Sequence, residues 1–164
     1  MIRRATPADI DELLRVRLEN REYLARWEPH TSPPGRRWTR EYYEEWVTGE
    51  NQFVILDEGE LAGTIQLVDR GWDALRSAMV GYWVAEARAG RGLATRALRE
   101  ILDVGFGELG LHRVEAGTDV ENVPSQRVLE RAGFTRVGLL RKHLLIGDTW
   151  HDHYLWELLE DDPR

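Results

Sequence analysis

Residues Val80 to Leu102 constrain this chain more than any other stretch, because a strand, a glycine turn and a helix follow one another there without a linker. Val80, Gly81, Tyr82, Trp83 and Val84 have the β-branched and aromatic composition of a buried strand. From Gly92 onward, Leu93, Ala97, Leu98, Ile101 and Leu102 share one helical face. The joint between them is Ala89-Gly90-Arg91-Gly92-Leu93-Ala94-Thr95. The first N–H groups of a helix have no internal partner and sit at the positive end of its dipole, so such a joint can hold an anion. Gly90, Gly92 and Ala94 remove the bulk that would keep a phosphate from the backbone. Taken alone, the same small residues equally let a strand turn into a helix with no ligand at all.

The glycine pattern excludes two familiar phosphate binders. A nucleoside-triphosphatase loop needs Lys followed by Ser or Thr at the helix start, and a dinucleotide fold needs G-x-G-x-x-G after the first strand with an acid roughly 20 residues later. Neither is present, and the turn comes halfway along the chain.

At 164 residues the chain is expected to form one domain, residues 1–164. A hydrophobic share of 42% with 31% charged residues excludes disorder. The net charge of −7 argues against a nucleic-acid binder, which needs a basic face. An acidic surface suits amine or cationic-peptide substrates, and serves equally as a solubility feature. No apolar run approaches a membrane span, and Met1-Ile2-Arg3-Arg4 is not followed by a signal-peptide core, so a cytoplasmic location without membrane association is expected. The absence of cysteine excludes a disulfide framework and a thiol nucleophile.

Ile2 to Ala5 reads as a strand, and Thr6-Pro7-Ala8-Asp9 as a helix start with Thr as cap and Pro in the first turn. Tyr42, Tyr43, Trp46 and Val47 stand at helical spacing within Thr39 to Thr48, as core or as a substrate wall. Gln52 to Leu56, Glu60 to Asp69 and Ser77 to Val84 read as three antiparallel strands, the last pair joined through Arg70-Gly71-Trp72-Asp73. Arg113 to Thr118 is a further strand, and Asn122 to Arg131 a helix stopped by Gly133. Phe134 to Ile146 and Thr149 to Leu159 form a final hairpin around Gly147-Asp148.

Glu121-Asn122-Val123-Pro124-Ser125, opening one helix, and Glu130-Arg131-Ala132-Gly133-Phe134, closing it, now join the glycine turn and its Gly81-Tyr82-Trp83 strand. Together they resemble the GCN5-related N-acetyltransferase (GNAT) superfamily, and within it the ribosomal-protein N-terminal acetyltransferase branch of RimJ/RimL type. Asn20-Arg21, Trp27-Glu28-Pro29, Leu61-Ala62-Gly63-Thr64-Ile65 and Trp150-His151-Asp152-His153 extend the resemblance over nearly the whole chain. It implies an α/β fold: about seven strands in a mixed, mostly antiparallel sheet, splayed between the fourth and fifth strands, with helices on both faces.

The resemblance further implies that acetyl-CoA lies in the splay. Arg91, Gly92, Leu93, Ala94 and Thr95 would hold its pyrophosphate through backbone N–H groups, and the edge of Trp83-Val84 would pair with the pantetheine amides. Asn122 would bond the pantetheine arm and Ser125 would reach the thioester sulfur, while the N–H of Val84 polarises the carbonyl. Trp27 and Tyr82 are expected to wall the amine substrate. The family's loop usually opens with Gln or Arg, where this chain has Ala89. Acids used by relatives fall at Met79 and near Leu144, which cannot take a proton. Glu115 is then the carboxylate expected to act as base, with His143 and Asp152 behind it. His151 and His153 lack a third ligand, so no metal is expected.

A weak base bears on the acceptor. An α-amine with pKa near 7.7 to 8.0 is roughly a tenth neutral at pH 7, whereas a lysine amine near 10.4 is neutral only about once in a few thousand. A peptide or protein N-terminus is therefore the expected substrate. The alternatives are a small amine such as an antibiotic, polyamine or amino acid, or a catalytically silent acyl-CoA-binding module. The apolar final strands are compatible with a homodimer.

Overall fold

The chain builds a seven-stranded sheet in the order β1-β2-β3-β4-β5-β7-β6, seen in a computed structural model that describes residues 1–71 and 73–164. The expected loop at Trp72 lies outside the described residues. The strands are β1 (Ile2–Arg4), β2 (Gln52–Asp57), β3 (Glu60–Gly71), β4 (Ser77–Val84), β5 (Arg113–Asp119), β6 (Thr135–Ile146) and β7 (Thr149–Leu159). Every neighbouring pair is antiparallel except β4 and β5, which run parallel. The mixed, mostly antiparallel sheet implied by the resemblance is the one observed.

Helices cover both faces. On one, α4 (Leu93–Asp103) and α5 (Val123–Arg131) pack Leu98, Ile101, Leu102 and Leu129 against Ile65, Val80, Val114 and Leu158 of the sheet. On the other, α1 (Ile10–Glu19) and α3 (Arg40–Trp46) bring Leu13, Tyr43 and Trp46 to Val54. The short α2 (Arg21–Ala25) follows α1 directly. Fully burying side chains of this size is worth ~1.5–3 kcal/mol each, so the two clusters set the sheet's two faces.

Local chemistry accounts for most element ends. Asp9 accepts the Thr6 backbone N–H at 2.8 Å and the Thr6 hydroxyl at 3.0 Å, but the turn it closes, Pro7–Asp9, is a 3-10 turn that leads into α1. Thr39 caps α3 by accepting the Tyr42 N–H, and Gly147, at φ +57°, turns the β6–β7 hairpin. β6 is the outer strand of the sheet and leaves Val137 and Leu139 exposed. No helix among the described residues is long and apolar enough to cross a membrane.

Candidate active site

The sheet opens between β4 and β5. The two strands pair only through Ser77 with Arg113, Ala78 with Val114 and Met79 with Glu115; beyond that register Val80 to Val84 have no partner on the β5 side. On the other edge β4 stays paired with β3 to its end, with Thr64 opposite Trp83 and Gly63 opposite Val84. The Ala85 N–H donates to Ala62 O at 2.7 Å. Because backbone groups alternate sides along a strand, the N–H and C=O of Trp83 also face β3, while those of Tyr82 and Val84 face the opening. Of the expected edge Trp83-Val84, the backbone groups of Val84 face the opening and those of Trp83 face β3, while Tyr82 adds a second open position. Trp83 contributes its indole instead.

A cleft of about 680 Å³ occupies the opening. Its lining brings together Trp27, Tyr82, Trp83, Val84, Gly92, Leu93, Ala94, Thr95, Asn122 and Ser125. Two of the site residues named from the sequence are not there. Arg91 turns its guanidinium toward Asp57, 3.6 Å away, with its side chain 55% exposed. Glu115 sits in the paired part of the sheet below the opening, with a carboxylate oxygen 3.8 Å from Arg70 Nε. Strand register explains this: a carboxylate opposite Met79 lies where β4 and β5 are still joined.

The turn before α4 has the backbone that small residues allow. Gly90 and Gly92 lie at φ +73° and +76°, and a side chain built at Gly90 would meet nothing within 4 Å. No side chain caps α4, whose first N–H groups are left for another partner. Two contacts set this turn in place from behind. Asn20 accepts the Glu86 N–H at 2.8 Å while its own amide donates to Val16 O, and Arg88 ion-pairs with Asp57 and Glu60. Arg88 is therefore committed to the scaffold. Arg127 and Arg131 line the cleft without an ion-pair partner among the described residues.

Across the opening, α5 starts beside β4. Asn122 caps it through Oδ1, which accepts the Ser125 N–H at 3.2 Å. The Ser125 hydroxyl lies 2.9 Å from the Tyr82 phenol oxygen. Burial pushes the Tyr82 phenol up to about 12, opposed by that hydrogen bond, so Tyr82 is neutral in the ordinary pH range. Either hydroxyl can donate in this contact; when the neutral phenol does, the serine proton is free to point elsewhere. Tyr82 was expected only as a wall. The signal that could have found this contact is strand parity, which puts Tyr82 on the same face as Ala78 and Val80, toward α4 and α5.

The third wall comes from α1, α3 and the segment between α2 and α3. Arg17, 5% exposed at its side chain, ion-pairs with Glu28, and Arg37 approaches the same carboxylate at 3.2 Å. The Arg17 guanidinium carbon lies 4.4 Å from the Trp38 ring centre and 5.0 Å from that of Trp83. Glu28 is the single carboxylate lining the cleft among the described residues, against Arg17, Arg37, Arg88, Arg127 and Arg131, and no histidine lines it. A chain of net charge −7 therefore carries a basic cleft, because net charge is a global sum and does not report the local field. Among the described residues no group of His, Cys, Asp or Glu could hold a metal ion.

These features fit a coenzyme that carries phosphates and amides. The uncapped helix end and the arginines suit phosphates, and the unpartnered Tyr82 and Val84 groups suit amides, since buried backbone groups need partners.

Comparison with known proteins agrees. The model of the Acetyltransferase (GNAT) domain family matches residues 1–135. The solved structure of Mycobacterium smegmatis RimJ in complex with CoA-disulfide superposes with a TM-score of 0.86 at 36% identity, covering 96% of this chain and 80% of that one. The ribosomal-protein-S5-alanine acetyltransferase of Vibrio fischeri gives 0.89 at 26% identity, covering 99% and 94%. The spermidine N(1)-acetyltransferase of Escherichia coli is 29% identical over 71% of this chain and 69% of its own length.

Proposed function

Because this chain belongs to the GNAT acetyltransferase family, with acetyl-CoA as its donor, we propose that it transfers the acetyl group to the α-amine of a peptide or protein N-terminus. The observation that carries this reading is the poverty of proton acceptors in the cleft. The one carboxylate that lines it among the described residues, Glu28, is ion-paired with Arg17 and Arg37. With no histidine and no carboxylate outside an ion pair lining the cleft among the described residues, the acceptor amine loses its proton to water, which an α-amine does far more readily than a lysine or polyamine amine. The likeness to the ribosomal-protein-S5-alanine acetyltransferase supports the same acceptor.

When bound, acetyl-CoA supplies an activated thioester. The N–H groups of Leu93, Ala94 and Thr95 hold phosphate oxygens, helped by Arg127 and Arg131. Backbone groups of Tyr82 and Val84 would satisfy the amides of the coenzyme arm, and the Val84 N–H would be the donor to the thioester oxygen. Asn122, its oxygen spent on the α5 cap, keeps its NH₂ donors for the same arm. Ser125, oriented by Tyr82, donates to the departing sulfur. A thiol of pKa near 8.5 leaves adequately with one such donor.

Thiol release from acetyl-CoA tests the reading, using peptides with free N-termini, the same peptides blocked at the N-terminus, and spermidine. Release stimulated by the free peptides alone is the expected result. Release driven equally by blocked lysine-containing peptides, or by spermidine in preference to peptides, would overturn it.

A further inference from the structure

The wall formed by Arg17, Glu28 and Arg37 lines the same cleft as the turn before α4, and its bonding is incomplete. Arg17 is one of the most buried charged residues of the chain, at 4% exposure, and Glu28 retains 14% at its side chain. One guanidinium nitrogen of Arg17 bonds Oε2 of Glu28. Nε of Arg17 and Oε1 of Glu28, both shielded from water, have no hydrogen-bond partner. Arg37 reaches Oε1 at 3.2 Å as an ion contact only. A buried donor and a buried acceptor within one ion pair are thus both left short, an arrangement that costs free energy unless a partner completes it.

The surroundings restrict that partner. Contacts with the Trp38 and Trp83 rings hold the plane of the Arg17 guanidinium, so its donors are offered at the edge. Trp83 belongs to the splayed strand, which puts this group beside the opening between β4 and β5. The Glu28 carboxylate turns about a soft terminal torsion, so Oε1 can swing into the cleft when a ligand offers it an N–H.

We propose that Arg17, Glu28 and Arg37 form the acceptor-recognition subsite, and that they select an α-aminoacyl group, a primary amine one carbon from a carbonyl, over a polyamine. The proposal rests on the acetyl-transfer reading above for the identity of the cleft. The amine fills the acceptor on Glu28, and the carbonyl fills the donor on the guanidinium edge. A polyamine has donors alone, so it leaves the arginine unmatched and sets its second cation against two guanidinium groups. Arg17 and Arg37 act as positioning residues for Glu28 and for the acceptor carbonyl.

The test uses Glu28→Gln and Arg37→Glu, leaving the buried Arg17 in place to preserve folding. The probes are a hexapeptide with a free alanine N-terminus and spermidine. Glu28→Gln is expected to raise the peptide KM at least about tenfold, with kcat, acetyl-CoA affinity and Tm little changed. Arg37→Glu, which adds a second carboxylate, is expected to improve spermidine kcat/KM by about tenfold. A peptide KM within about twofold of wild type in Glu28→Gln overturns the subsite, and wild-type preference for spermidine overturns the ligand class. Calorimetric titration of the peptide into the protein saturated with coenzyme A separates this proposal from the catalytic one. If no amine is turned over, peptide affinity that falls in Glu28→Gln still supports the subsite, and absent or unchanged affinity overturns it.

Discussion

The phenol oxygen of Tyr82 lies 2.9 Å from the hydroxyl of Ser125, tying the splayed strand to the first turn of α5 across the opening. A strand that has lost its neighbour on one side is thereby fixed from the other side of the gap. The contact fixes the position in the cleft of the hydroxyl proposed above to donate to the departing sulfur.

Ser125→Ala should lower kcat by about 10²-fold while acetyl-CoA affinity stays within about threefold. Tyr82→Phe should lower kcat less, by about tenfold, and the double variant should be no worse than Ser125→Ala because both remove one unit. Steady-state kinetics of the three variants decides this; additive losses would show that the hydroxyls act separately. Tyr82 has its pKa raised to about 12, so its neutral form is the one the fold favours. No alkaline loss of rate from this phenol should appear below about pH 10.

Asn20 and Arg88 should matter for coenzyme affinity although neither belongs to α4, the helix proposed to meet the phosphates. Removing the Asn20 side chain leaves the Glu86 N–H without its acceptor, and Arg88→Met releases the turn from Asp57 and Glu60. Each should weaken acetyl-CoA binding by about 3- to 10-fold with the folded secondary structure intact. Calorimetric affinities beside circular dichroism provide the check, and unchanged affinities would mean that the turn holds its shape unaided.

Gly63→Ala should be among the most damaging single substitutions. A Cβ there would stand 2.1 Å from Trp83 O and 3.0 Å from Val84 Cα, both backbone atoms of the strand that lines the cleft. Overpacking of this kind costs ~1–3 kcal/mol when side chains can yield, and backbone yields less. A drop in denaturant midpoint together with loss of coenzyme binding is the expected pair of results.

Asp9 should account for part of the stability lost in acid. Hydrogen bonding to the Arg3 guanidinium outweighs burial and, with bonds from Thr6, lowers its pKa to about 2. A carboxyl depressed in the fold stabilises the protein above its unfolded pKa of about 3.9 and loses that contribution as pH falls toward 2. The contribution is about 2 kcal/mol at most. Asp9→Asn should lose it at neutral pH and flatten the decline between pH ~4 and ~2 in denaturant titrations.

Local chemistry was readable directly from the residues. Gly90 and Gly92 take the positive φ that favours glycine, Asn122 caps α5, and the strands fall where β-branched and aromatic residues cluster. Motif order along the chain was enough to imply the family's sheet. What the residues did not disclose depends on which strand ends stay paired. Pairing of β4 with β5 stops at Met79 and Glu115, so Glu115 is removed from the cleft, and the alternation of β4 sends Tyr82 and Val84, rather than Trp83, toward the gap. Glu28 was visible in a Trp-Glu-Pro motif, but its partners Arg17 and Arg37 lie on either side of it in sequence and meet it only through the packing of α1 against the α2–α3 segment. Turns and caps involve residues a few positions apart, where sterics and one hydrogen bond decide the outcome. Cleft walls and ion pairs are joined by contacts further apart, 11 residues for Arg17 with Glu28 and 43 for Tyr82 with Ser125, and these follow from strand register and helix packing over the whole sheet.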